Sequence, residues 1–226
     1  MATSAAGFIA PLTGAAAPLA YLPSSTVRKC KKEQVIYGPD QGSANIYMVV
    51  TGKVKVHRIA QEGREVLVDI YHVHEFFGDS ALVGAMHGHE KAVALEPGTS
   101  VMMWTGTEVE DLILRCPRLG IALLQVMAQR CIHFGWRIES FASDPIERRL
   151  ARTLIRFSER FGKVLEDGSI EMIPLTHEML SQYVGTSREV ITHHMTEFRR
   201  HGYLRYSRKE VIIYPDAMMQ SWAATA

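Results

Sequence analysis

Pro174-Leu-Thr-His-Glu-Met-Leu-Ser-Gln-Tyr-Val-Gly-Thr-Ser-Arg-Glu-Val-Ile-Thr-His-His-Met-Thr-Glu-Phe-Arg-Arg-His-Gly-Tyr-Leu204 is the stretch whose reading decides the fold. Behind Thr176, whose hydroxyl can take up a free amide at a helix start, Met179, Leu180 and Tyr183 recur at helical spacing. Gly185 supplies a sharp turn, and Thr186-Ser187 caps a second helix with apolar positions Val190, Ile191, Met195 and Phe198. Two helices joined steeply by a short glycine-containing turn make a helix-turn-helix. In that motif the first residues of the second helix face base edges in the major groove. Here that turn and a half offers Arg188, Glu189, Thr192 and His193, all polar. The helices are expected at about 176–183 and 187–200, with a strand pair at about 203–206 and 210–214 closing the unit.

Net charge tests this reading. Twenty-five Lys and Arg against 24 Asp and Glu leave +1, and a nucleic-acid binder usually shows a basic domain. Neither half of the chain is strongly basic. The first 141 residues carry 13 basic and 13 acidic side chains, and the last 85 carry 12 and 11. The excess is local. Between Thr186 and Lys209 stand Arg188, Arg199, Arg200, Arg205, Arg208 and Lys209 against Glu189 and Glu197. Phosphate neutralisation needs charge where the DNA backbone lies, so a near-neutral chain is compatible with it. The competing reading is a solvated cationic helix face beside a β-hairpin.

Outward from the motif, Ser143-Asp144-Pro145 reads as an N-cap with proline in the first turn of a helix from Ile146 to about Phe161, with Leu150, Leu154, Ile155 and Phe157 inward. Before it, Cys116-Pro117 opens a long helix over Arg118 to Phe141. Its positions Ile121, Leu124, Ala128, Cys131, Gly135 and Ile138 step by three and four, a heptad seam. A second stripe, Leu123, Met127, Phe134 and Phe141, lies beside it. A helix with two apolar stripes must face two things: its own domain throughout, or its domain and a partner copy. Periodicity leaves both open.

From Val27 to Thr107 the texture is β-like. Ile46-Tyr-Met-Val-Val50 precedes Thr51-Gly52; Val54 and Val56 alternate with Lys53, Lys55 and His57; Val66-Leu-Val-Asp-Ile-Tyr71 follows Glu62-Gly63. Turn signals every 8–12 residues or so mark a sandwich or barrel-like β domain. Cys30, Cys116 and Cys131 are too few and too scattered for a disulfide framework or zinc site, which fits a reducing compartment. The first 27 residues hold no Lys or Arg, and prolines 11, 18 and 23 interrupt their Ala-rich run, so neither a signal peptide nor a membrane span is expected there. At 22% charged and 47% hydrophobic the chain is ordinary soluble globular material.

With these residues in view, the sequence resembles the Crp/Fnr superfamily of bacterial transcription regulators from about Val27 onward. The carrying elements are Val184-Gly-x-Ser-Arg-Glu189 and the order of β block, long helix, hinge and helix-turn-helix. Residues 78 to 101 and 127 to 200 can be laid on cyclic-AMP-binding members without a gap. The implied fold is α+β: a flexible tail at 1–26, a cyclic-nucleotide-binding-like β-roll sensor at 27–108, a dimerisation helix at 109–141 and a winged helix-turn-helix at 142–226. The resemblance makes the 121–138 seam a homodimer interface, and a dimer presents two recognition helices about one DNA turn apart, so a palindromic operator is expected. It implies double-stranded DNA and RNA polymerase as partners, a cytoplasmic location and no enzymatic activity. Arg188 and Glu189 match the family's Arg-Glu pair, but His193 stands where a second arginine is usual, which alters the base preference there. Thr176 and Ser187 would hold phosphates at helix N-termini, with Thr186, Thr192, Arg199 and Arg200 completing the DNA-binding set.

The sensing half departs from the family's cyclic-nucleotide pattern. Where that pattern has Gly-Glu-Leu and then Arg-Ser, this chain has Gly78-Asp79-Ser80 and His89-Glu90. A carboxylate beside a phosphodiester repels it, and a mostly neutral His89 replaces a guanidinium poorly. Phe134 and Gly135 stand where nucleotide binders put hydroxyls. An iron–sulfur branch needs clustered N-terminal cysteines, and only Cys30 is present; the haem branch has Cys and His where Gly78 and Ser80 stand. Arg130 matches a basic, ligand-facing position of the 2-oxoglutarate branch, whose acidic companion is Gly135 here. The effector-facing set is therefore Gly78, Asp79, His89, Glu90, Arg130 and Phe134, with no cyclic nucleotide, cofactor or metal expected. His57, His72, His74, His87 and His89 read as solvated loop histidines. An effector-free regulator is equally compatible, and the rival from another class is a small-molecule or metal-binding β-barrel module whose C-terminal helices make protein contacts.

Overall fold

The computed structural model describes residues 26–39, 45–60, 63–84, 89–207 and 210–223, so the tail expected at 1–26 lies, but for Thr26, outside the described residues. The β block is a roll of two four-stranded antiparallel sheets. One runs β1 (Arg28–Cys30), β8 (Thr99–Thr105), β3 (Asn45–Thr51), β6 (Phe76–Phe77); the other runs β2 (Val35–Tyr37), β7 (Glu90–Ala94), β4 (Val54–Ile59), β5 (Glu65–Tyr71). The two-residue period of β3 shows how this is built. Tyr47 and Val49 point between the sheets, with Tyr37 and Phe77 stacked on Tyr47 at ring-centroid distances of 5.2 Å each. Ile46 and Met48 point the other way, into a second core with Phe76, Trp104, Leu119 and Leu123. Both faces of this strand are covered, because helices lie on its outer side.

Those helices are α1 (Gly106–Arg115), a separate helix that the expected dimerisation segment at 109–141 did not distinguish, and α2 (Pro117–Ser143), which opens at Pro117 as expected. Cys116 sits between them at φ −134° and ψ 84°, since the residue before a proline is driven out of the helical region. Thr105 starts α1 with a reciprocal capping box: its Oγ1 accepts from the Glu108 amide at 3.2 Å, and the Glu108 carboxylate accepts from the Thr105 amide at 2.7 Å. The expected N-cap at Ser143 is also corrected. Ser143 remains helical, donating its hydroxyl to Glu139 O, and Asp144 closes α2 in an extended conformation ahead of Pro145. The Asp144 carboxylate instead accepts from Ser140 and pairs with Arg152 at 2.8 Å.

Helix α3 (Ile146–Phe161) buries Leu150, Leu154, Ile155 and Phe157 as expected. After it comes a four-stranded sheet ordered β11 (Leu204–Tyr206), β12 (Val211–Ile213), β10 (Ile170–Met172), β9 (Lys163–Val164), of which the sequence reading saw only β11 and β12. Helices α4 (His177–Val184) and α5 (Arg188–Arg200) fill the helix-turn-helix positions, and α6 (Pro215–Ala223) ends the described chain. The C-terminal core runs into the sensor: Leu67, Ile70 and Leu95 belong to the same buried cluster as Leu154, Phe157, Leu180 and Tyr183. The two halves meet through apolar packing, with α4 lying along β5.

Candidate nucleic-acid interface

Thr176 begins α4 by accepting from the Met179 amide at 3.1 Å. Gly185 ends it at φ 75°, ψ 50°, in the left-handed region where a side chain is strained, and a Cβ there would lie 2.7 Å from the Phe141 ring. Ser187 caps α5 by accepting from the Val190 amide at 3.3 Å. Ile191, Met195 and Phe198 pin α5 to the core, leaving Arg188, Glu189, Thr192, His193, Thr196, Arg199 and Arg200 exposed. Thr176 and Ser187 are exposed as well, and Thr186 is half-buried. Glu189 lies beside its own backbone amide and the Ser187 hydroxyl, which hold its carboxyl below the usual range and keep it an ionised acceptor. The Arg199 guanidinium stacks on Tyr206 at 5.3 Å, and Arg200 is paired with Glu197. Arg208 and Lys209, counted in the local basic excess, lie outside the described residues.

The two stripes of α2 part company. Leu123 is buried, and Met127 and Phe134 are half-buried against the sensor. Ile121, Leu124, Ala128, Cys131, Gly135 and Ile138 are all exposed, Leu124 by 74% and Ile138 by 69%. A continuous apolar seam is thus open along the helix.

Between the sensor and α2 lies a cavity of about 520 Å³, lined by Gly78, Asp79, Glu90 and Phe134 from the expected effector set, with Arg58, Tyr71 and Arg137. His89 is exposed and off this cavity, contrary to expectation. Arg130 stands behind it, paired with Asp79 at 2.7 Å, donating to Phe76 O and stacked 5.0 Å from the Tyr71 ring. It therefore anchors α2 to the Asp79–Val83 turn. The histidines also need correction. His57 is buried on β4 with Nε2 3.2 Å from Gln182 Oε1, and His72 lies 3.4 Å from Glu75. Among those described, His72, His74 and His89 occupy loops, and His87 lies outside the described residues. No three His, Cys, Asp or Glu side chains gather as a metal site among the described residues.

Sequence reading missed the cluster that joins the modules. Asp69, on β5 and buried, accepts from Arg156 at 3.1 and 2.9 Å and from Arg160 at 2.8 Å; Arg160 also grips both oxygens of Glu75. Arg156 donates to the Tyr183 hydroxyl, which also meets His133 Nε2. Arg137, from α2, donates to the carbonyls of Leu67, Val68 and Tyr183. The signal was available as Arg148, Arg152, Arg156 and Arg160 at spacing four, one helical stripe.

Residues 27–116 match the cyclic nucleotide-binding domain, and residues 148–220 match the Crp-like helix-turn-helix domain. The transcriptional regulator SdrP of Thermus thermophilus is 30% identical over 159 residues, covering 70% of this chain and 74% of SdrP. The chain belongs to the Crp/Fnr family of transcription regulators. Another Crp/Fnr relative, the CRP-like cAMP-activated global transcriptional regulator of Mycobacterium tuberculosis, is 26% identical over 179 residues, 79% of each chain. FixK2 from Bradyrhizobium japonicum shares the Crp/Fnr fold with a TM-score of 0.74 at 18% identity, over 88% of this chain and 97% of its own. Relatives of this Crp/Fnr chain are named as regulators rather than enzymes, and among the described residues no helix is long and apolar enough to cross a membrane.

Proposed function

We propose that this Crp/Fnr regulator works as a cytoplasmic homodimer that reads a palindromic operator through paired α5 helices and engages RNA polymerase there. The observation that carries the reading is the exposed heptad seam of α2, six apolar or small positions in line, which has the pattern of a two-stranded helical pair. A two-fold pair along α2 places two α5 helices for successive turns of DNA. Arg188, Glu189, Thr192 and His193 then meet bases, while Thr176, Thr186, Ser187, Arg199 and Arg200 meet phosphates. The polar, exposed face of α5 favours this over a role in protein contacts.

The 520 Å³ cavity takes an effector other than a cyclic nucleotide. Two carboxylates, Asp79 and Glu90, line it and oppose a cyclic phosphate. Arg130 is already paired to Asp79, and of the lining arginines Arg58 and Arg137 the latter is held by the carbonyls of Leu67, Val68 and Tyr183. The mycobacterial relative is named as cAMP-activated, so cyclic AMP is the decisive control. Selection of duplexes from a random pool, followed by light scattering of the complex, tests the DNA reading: the expected product is an inverted repeat bound by two copies. Equal affinity for selected and random DNA at physiological salt refutes it. A thermal-shift screen that includes cyclic AMP tests the cavity, since a ligand of the native state raises the melting temperature by mass action. Stabilisation by cyclic AMP alone would overturn the effector reading.

A further inference from the structure

Thr192 is exposed in the second turn of α5, yet its hydroxyl is occupied. Oγ1 lies 2.8 Å from Arg188 O and 2.8 Å from His177 Nδ1. A threonine hydroxyl has a single hydrogen. If His177 carries its proton on Nδ1, it donates to Oγ1 and the hydroxyl hydrogen goes to Arg188 O. If Nδ1 is bare, Arg188 O and Nδ1 compete for that hydrogen. In both tautomers the hydrogen is spent inside the protein.

This removes most ways Thr192 can read a base. Guanine O6 and N7, adenine N7 and thymine O4 are acceptors and require a donor, which Thr192 no longer has. Its oxygen can still accept from adenine N6 or cytosine N4, and its methyl group faces the apolar feature of the major groove, the C5-methyl of thymine. His177 is well placed to hold the arrangement. It is the first residue of α4, and its ring meets Tyr206 edge-on at 6.0 Å and 70°. Burial, then the nearby Arg188 charge, lowers its pKa. Threonine in a helix divides between two χ1 rotamers, and the bond to Arg188 O together with the His177 contact holds one of them.

We propose that Thr192 selects thymine through its methyl group, and that His177 is the positioning residue that keeps the Thr192 hydroxyl out of the groove. The proposal rests on α5 being the DNA-reading helix. Its test uses the full-length protein and the selected operator, with each thymine of a half-site replaced in turn by uracil, which removes only the methyl group. One position should weaken binding about fourfold, the factor expected for one methyl removed from water. Thr192→Val, which keeps a methyl and loses the hydroxyl, should preserve that ratio; Thr192→Ser, which does the reverse, should abolish it. His177→Ala should lower the ratio to about twofold as the rotamer is released, and His177→Asn, which retains a hydrogen-bonding group at similar reach, should restore it. Uracil substitution without effect anywhere overturns the proposal while leaving DNA reading intact. A thymine effect that survives in Thr192→Ser assigns the contact to another residue and overturns it too. Loss in Thr192→Ser with no change in His177→Ala overturns the role of His177. Absence of any selected sequence fails the underlying reading instead.

Discussion

Replacing Asp69 by alanine tests what holds the DNA-binding half on the sensor. The carboxylate is 7% exposed and accepts four hydrogen bonds: two from Arg156, one from Arg160 and one from the Ile70 amide at 2.8 Å. In Asp69→Ala, Arg156 keeps only its bond to the Tyr183 hydroxyl, whereas Arg160 still has both oxygens of Glu75. Removing one partner from a buried ion pair costs about 3–5 kcal/mol, and the surviving Glu75 contact places this case near the lower end. For a chain of this length each kcal/mol moves the melting temperature by about 2–4 °C, so a fall of roughly 6–12 °C is expected. The bonds cross from β5 to α3, so cleavage in the 142–146 connection should also quicken under limited proteolysis. The pH dependence is specific. Burial alone would raise the Asp69 pKa, but Arg160 and then Arg156 outweigh it and hold the carboxyl far below its ordinary range. A depressed folded pKa gives stabilisation that is complete above the unfolded carboxyl value and is lost only as pH falls through the folded one. The gap between parent and variant should therefore stay constant from pH 8 to pH 5. Glu197→Ala, which breaks an exposed pair with Arg200, is the control and should cost less than about 1 kcal/mol. A melting temperature for Asp69→Ala within about 2 °C of the parent would refute the reasoning from buried charge.

His133 acts with the same sign but in a higher window: burial, then the Arg156 charge, lowers its pKa to about 4, so as pH falls from about 6.5 to 4 the native chain binds fewer protons than the unfolded chain. Stability should fall through that window by at most roughly 3 kcal/mol, and urea titrations of His133→Gln should show a flatter profile. Leu124→Glu places a charge in the exposed seam and should yield folded monomers by light scattering; a variant that remains dimeric removes the seam from the interface. Gly185→Ala forces a side chain to φ 75° beside the Phe141 ring and should cost about 1–2 kcal/mol in chemical denaturation, with parent-like stability arguing against the turn as drawn.

The readable parts of the sequence were those governed by local rules. The apolar run of β3, the glycine turn at 185 and the caps at Thr176 and Ser187 are each set within a few residues, and all appear where the pattern places them. The opening at Cys116-Pro117 was read on the same basis, while α1 and its capping box at Thr105 obey equally local rules and were missed. What could not be read locally was who faces whom. His57 sits in an alternating polar position that suits a solvated edge, and its burial comes from Gln182, 125 residues away. Glu90 and Phe134, far apart in the chain, share a cavity only because α2 folds back across the roll.

The same limit governs the charge argument. The C-terminal half has twelve basic residues, and a third of them are paired to carboxylates within the protein. Arg148 and Arg152 face Asp144, while Arg156 and Arg160 are committed to Asp69 and Glu75. The stripe is thus engaged in the protein's own ion pairs, and the remaining basic excess lies in the stretch from Arg188 to Lys209 that spans α5 and the hairpin after it. Arg137 extends this logic to the sensor. It lines the 520 Å³ cavity and, with the same guanidinium, donates to Leu67 and Val68 on β5 and to Tyr183 on α4. Tyr183 packs its ring under that guanidinium at 4.0 Å and shares its hydroxyl with Arg156. A ligand that draws Arg137 toward the cavity must therefore loosen α4 from β5, because a single planar fork cannot serve both sides at once. The cavity and the α4–β5 contact thus share one guanidinium that is already engaged on both β5 and α4.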